Sequence, residues 1–148
     1  MRQALWCGPR RRARTAAGEE PRRVELEHAP PFAEQFGIRL VAVEEGRATA
    51  TLPVGSPGLA DDRRVRRGAI TLLIEAAAMA TTLGSERPSS GAQGPSDLFV
   101  SFLGAMPDHP LTAEARVVGR AGSRENCEVE VRDWNGALVA KGFLSCEV

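Results

Sequence analysis

Apolar and polar residues alternate along much of this chain, and one segment breaks the alternation. Residues 66–84 read Arg-Arg-Gly-Ala-Ile-Thr-Leu-Leu-Ile-Glu-Ala-Ala-Ala-Met-Ala-Thr-Thr-Leu-Gly. Helix-forming Ala, Leu and Met dominate it, and Gly68 and Gly84 bound it, which predicts a helix. It is apolar almost all the way round, as a buried helix is. Its polar groups are ordered: Thr71, Glu75 and Thr82 share a narrow sector at 3.6 residues per turn. A single carboxylate therefore lies on a stripe otherwise marked only by hydroxyls.

The flanking segments read as strands. Pro30 to Gly37 is a short helix begun by proline and stopped by glycine. Ile38, Leu40 and Ala42 then alternate with Arg39, Val41 and Val43, and Ala48, Ala50, Leu52 and Val54 with Arg47, Thr49 and Thr51. That is a hairpin turning at Glu45-Gly46. A charged loop, Asp61 to Arg67, leads into the long helix. Ser85 to Ser96, rich in Ser, Gly and Pro, is a loop. Leu98 to Ala105 is apolar enough for a central strand. Strands follow around Leu111–Val117 and Asn126–Val131, and Asn135-Gly136 signals a type I′ turn into Leu138–Val148. A two-residue turn there sets Cys127 opposite Leu144 and Cys146 opposite Glu125. The two cysteines are then not directly paired, and free thiols are expected.

This order contains no βαβ alternation. A mainly antiparallel sheet must bury one face, and a single long apolar helix is available to cover it. The expected class is α+β, a hotdog fold in which the sheet wraps the helix.

Composition narrows the picture. At 148 residues with a formal net charge of zero, one domain is expected and no overall field recruits nucleic acid. No apolar run reaches the roughly 18 residues that span a bilayer. Cys7, Cys127 and Cys146 lack metal-ligand spacing and are odd in number, which favours a reducing cytoplasm. Two histidines, His28 and His109, exclude a His-rich metal site, and no cofactor signature stands out; His109 reads as a loop residue. Residues 1–29 form a basic tail, with seven arginines against Glu19 and Glu20 between Met1 and Arg23 and no hydrophobic periodicity. They read as disordered, and residues 30–148 as the folded domain.

Glu75 is the residue most in need of explanation, because a carboxylate in a buried helix is costly unless paired, hydrogen-bonded or facing a wet cavity. One reading pairs it with an arginine. The other makes it a general base or nucleophile at the mouth of a pocket.

From about Pro31 onward the chain resembles the PaaI-like hotdog thioesterases. Phe36-Gly37-Ile38 followed by Val43-Glu44-Glu45-Gly46-Arg47 is similar to that family's opening hairpin. Leu111-Thr112-Ala113-Glu114-Ala115-Arg116-Val117-Val118 is similar to its strand after the central loop, and Asn135-Gly136-Ala137-Leu138-Val139-Ala140 to its last hairpin. The family motif is His-Gly-Gly at the helix entrance, with an acidic residue seven positions after the second glycine. Gly68 and Glu75 match; the histidine falls on Arg66, the first glycine on Arg67, and an asparagine of some members on Ala60.

The resemblance implies hydrolysis of an acyl-CoA or acyl-carrier-protein thioester without a cofactor, by a homodimer or dimer of dimers whose site is completed across the interface. Glu75 would be base or nucleophile, and the helix N-terminus at Gly68 would hold the oxyanion. Ser96, or Pro95 one residue earlier, stands near the position of a water-positioning hydroxyl. Arg66 and Arg67, with Thr71, are candidate substrate contacts. The arginines read either as partners of Asp61, Asp62 or Glu75, or as a grip on coenzyme A phosphates. The lost His-Gly pair motivates a rival reading, a catalytically silent hotdog protein that binds acyl thioesters or serves as an assembly partner. A hydratase on the same fold lacks an Asp/His pair at the helix entrance.

Overall fold

A computed structural model describes residues 31–53, 55, 64–83, 95–104, 108 and 110–147. The basic tail, Asp61 and Asp62, most of the Ser85–Ser96 loop, and His109 lie outside the described residues. Along the chain run α1 (Pro31–Gln35), β1 (Arg39–Glu44), β2 (Arg47–Leu52), α2 (Arg67–Leu83), β3 (Asp97–Phe102), β4 (Leu111–Ala121), β5 (Arg124–Asp133) and β6 (Leu138–Glu147). The six strands form one antiparallel sheet in the order β1-β2-β4-β5-β6-β3. The sheet curls around α2, which packs against β1, β2, β4, β5 and β6. This is the hotdog architecture.

The wrapped arrangement follows from which residues each element can bury. Ile70, Leu73, Ile74, Ala76, Ala77 and Ala80 of α2 are fully enclosed. They meet inward residues from every long strand, among them Ala50, Leu111, Ala113, Val129 and Ala140. Small side chains on both sides let helix and sheet approach closely. At Gly142 the approach is extreme: a Cβ added there would lie 2.5 Å from Ile74 Cγ2. An isolated glycine within an apolar strand pattern is the sequence mark of such an approach.

The outer face of the sheet carries charges at its centre. Glu128 is buried there between Arg116 and Lys141, with Lys141 Nζ 2.5 Å from its carboxylate. These cations, Lys141 first, hold the Glu128 carboxyl below its ordinary range.

Turn chemistry agrees with the sequence at one hairpin and differs at the other. Glu44 pairs with Arg47 across Glu45-Gly46, and Gly46 has a φ of 68°. The alternation of β1 breaks, however: Val41 faces outward as expected, but a bulge between Leu40 and Ala42 puts Val43 inside with Leu40. The last hairpin is not a two-residue type I′ turn. The Gly136 amide donates to the Asp133 carbonyl, and Asp133 Oδ1 accepts from the Asn135 and Ala137 amides at 2.9 Å each. Trp134 and Asn135 thus occupy the turn, and Gly136 follows with a φ of 81°. A bulge between Val131 and Arg132 absorbs the extra residue, so Cys127 still faces Leu144 and Glu125 faces Cys146. Cys127 and Cys146 are buried free thiols.

β3 corrects the expectation of a central strand. It pairs only with β6 and forms one edge of the sheet. Its apolarity is divided: Val100 and Phe102 pack against the core, whereas Phe99 is 64% exposed and Leu98 39%.

Candidate active site

The sheet leaves one stripe of α2 uncovered. Arg67, Gly68, Thr71, Leu72, Glu75, Met79 and Thr82 are all exposed or half-buried, whereas the rest of the helix between them is enclosed. Four of the six candidate residues, Arg67, Gly68, Thr71 and Glu75, lie along this stripe, as the helical period requires.

Glu75 is half-buried, and burial raises its carboxyl above the ordinary 4.5. Among the described residues no cation lies within salt-bridge distance of it. The pairing of Glu75 with Arg66 or Arg67 is therefore absent. Its carboxylate is partly desolvated without compensation, a condition that favours proton uptake.

At the helix entrance, Arg66 supplies the carbonyl that accepts from the amides of Ala69 and Ile70, at 3.0 and 3.2 Å. Among the described residues the Gly68 amide has no backbone acceptor, and a Cβ added at Gly68 would meet nothing within 4 Å. The first turn therefore presents an open donor at its positive end. Arg67 is turned toward β3, its guanidinium 5.4 Å from the centroid of the Phe102 ring. That cation–π contact anchors the arginine beside the entrance. Thr71 Oγ1 donates to the Arg67 carbonyl at 3.1 Å, tying the hydroxyl to the helix backbone.

Ser96 is not brought to the helix entrance within the chain. Its amide and hydroxyl donate to the Ser145 carbonyl at 2.8 and 3.1 Å, at the start of β3, whereas Arg67 meets Phe102 at the other end. About 17 Å of strand separates those two ends. Glu75 is next to Ile74, which rests on Gly142 midway along β6. Gly68 and Glu75 are themselves separated by about 10 Å of helix rise. Gly142, which fixes the height of α2 above the sheet, is the positioning residue that reading for chemistry passed over.

Among the described residues no cluster of three or more His, Cys, Asp or Glu could hold a metal ion, and no helix is long and apolar enough to cross a membrane.

No protein-family model matches the chain, and no curated protein does. Solved structures do. The S. sahachiroi protein AziG is 23% identical, with a TM-score of 0.69 over 80% of this chain and 95% of that one. The E. coli PaaI protein from the phenylacetic acid degradation operon is 22% identical, with a TM-score of 0.65 over 78% and 86%. Thioesterase HI1161 from Haemophilus influenzae is 20% identical, with a TM-score of 0.65 over 77% and 79%. The chain thus has the hotdog fold in the form that PaaI-like proteins share.

Proposed function

We propose that this protein is a thioesterase that hydrolyses an acyl-CoA or acyl-carrier-protein thioester, with Glu75 as general base or nucleophile. The observation that carries the reading is the partly desolvated Glu75 carboxylate, without a cation partner among the described residues, on the uncovered stripe of α2. The fold shared with structures named as thioesterases supports it.

As water or a carboxylate attacks a thioester carbonyl, its oxygen gains charge that helix-terminal amides stabilise. The open Gly68 amide suits that task. One protomer does not complete the site, because about 10 Å of helix lies between Gly68 and Glu75. Two copies related by a two-fold axis, with α2 helices antiparallel, would set Glu75 of one protomer near the partner subunit's Gly68. The exposed edge strand β3 and the bare stripe of α2 are the surfaces such a homodimer would cover. A dimer of dimers would extend the same covering. Ser96 enters this site only as a hydroxyl from the partner's half. Arg66 and Arg67 add positive charge beside the entrance, suited to coenzyme A phosphates. Arg67 has its guanidinium anchored on Phe102.

The rival reading, a silent acyl-thioester binder or assembly partner, is favoured by one feature: two arginines stand where the resembled motif has His-Gly. Release of free thiol from a panel of acyl-CoAs, by wild type and Glu75→Gln, separates the two. A fall in turnover of roughly a hundredfold or more is expected for the variant. Wild-type protein that binds acyl-CoA and releases no thiol establishes the rival.

A further inference from the structure

We propose that Cys127 and Cys146 form an oxidisable dithiol, which hydrogen peroxide converts to a disulfide linking β5 to β6. The proposal does not depend on the thioesterase reading. Its geometry comes from the ladder. Cys127 faces Leu144 and Cys146 faces Glu125, so the cysteines occupy diagonal positions on adjacent strands. Both point inward, 1% and 3% exposed, and both are reduced. Diagonal neighbours in a flat sheet stand near the limit of disulfide reach. Here each thiol is the first influence on the other's ionisation, as neighbours on one inward face are. The ladder ends one pair further on, at Arg124 and Glu147. Ends of ladders open at little cost, which admits a small oxidant and supplies the slight strand movement that bridging needs.

The surroundings give the two sulfurs different roles. The Cys146 hydrogen bond lowers the Cys127 thiol to about 7, against the opposing effects of burial and the Glu125 charge; Thr81 and Arg120 assist the lowering. Thr81 Oγ1 lies 3.4 Å from Cys127 Sγ and 2.7 Å from the Ala78 carbonyl, so its one hydrogen can turn to sulfur when Cys127 ionises. Cys146 is pushed well above the ordinary thiol range by the same hydrogen bond, burial and the charges of Cys127, Glu125 and Glu75. Cys127 is thus the more readily ionised thiol, and Cys146 the one that keeps its proton.

Glu125 completes the set. It is 2% exposed, Arg120 Nε holds its Oε1 at 2.5 Å, and Oε2 has no hydrogen-bond partner among the described residues. It stands opposite Cys146 in register. In the first step the Cys127 thiolate attacks one peroxide oxygen and the O–O bond breaks, giving Cys127 sulfenic acid and hydroxide. In the second, the Cys146 sulfur attacks the Cys127 sulfur as the S–O bond breaks and Cys146 gives up its proton. The displaced hydroxide takes that proton and leaves as water. The two thiols supply two electrons and two protons, and the peroxide becomes two waters.

The test exposes the full-length folded protein to hydrogen peroxide at neutral pH and follows intact mass and tryptic peptides. Trypsin releases Glu125–Arg132 and Gly142–Val148, each with one of the cysteines. Expected are loss of two hydrogens, a cross-link between those peptides, one remaining titratable thiol of three, and reversal by dithiothreitol. Cys146→Ser should stop at a Cys127 sulfenic acid that dimedone traps. The proposal is overturned by oxygen added to either cysteine without a link, by a link to Cys7, by a link that forms only in denaturant, or by thiols that stay unreacted.

Discussion

Gly142→Ala tests how α2 is seated, and through it the placement of Glu75. The new methyl would stand 2.5 Å from Ile74 Cγ2 and 3.4 Å from its Cδ1. Carbon atoms rest at about 3.5–4.0 Å, so the two groups must separate by about 1 Å. Ile74 cannot yield alone. It is fully buried, and a β-branched side chain in a helix has essentially one χ1 rotamer. The helix itself must lift. Overpacking of this kind costs about 1–3 kcal/mol, offset by about 0.4–1 kcal/mol from the smaller entropy of the unfolded alanine chain. A net loss of about 1–2 kcal/mol is expected, read as a lower urea midpoint with an unchanged slope.

Ile74→Ala removes both clashing atoms. Alone it should cost about 2–5 kcal/mol as a cavity, and in the Gly142→Ala background about 1–2 kcal/mol less, because the methyl then fills part of the space. Under the proposed function, a helix displaced by about 1 Å should also lower turnover by up to about a hundredfold. If Gly142→Ala is as stable as wild type, or the two substitutions are strictly additive, the seating argument is refuted.

Two further outcomes follow from the same structure. Burial raises Glu75, so its proton stabilises the fold: that contribution is complete below about 4.5 and is lost as pH rises through the raised folded value. Glu75→Gln should therefore flatten this part of the stability–pH curve without loss of stability near neutrality; an unchanged curve contradicts the desolvated placement. Wild type should show a dimer mass or larger by light scattering at micromolar concentration, and Phe99→Lys on the β3 edge should shift it toward monomer and lower any turnover. A wild-type monomer would remove the shared-site geometry.

Sequence alone carried what depends on local period and turn chemistry. The helix from Arg67 to Leu83, the hairpin at Glu45-Gly46, the alternation of β2, and the stripe bearing Thr71 and Glu75 follow from spacings of two and 3.6 residues. Even the pairing of Cys127 with Leu144 was legible, although the reason differed, since a bulge at Val131 and Arg132 offset a longer turn. What tertiary structure decided are relations between distant segments. Leu98 to Phe102 is apolar enough for the sheet interior, yet β3 is an edge, because apolarity does not tell burial by this chain from a surface left for another. Val43 faces inward with Leu40 because of a bulge that alternation cannot register. Among the described residues Glu75 has no arginine partner although Arg64, Arg66 and Arg67 precede it, since a guanidinium four atoms from its backbone goes where packing allows, in Arg67's case onto Phe102. The convergence of Cys127, Cys146, Thr81 and Glu125 from three elements is likewise the work of the wrapped sheet, whose twist and closure no short-range pattern encodes.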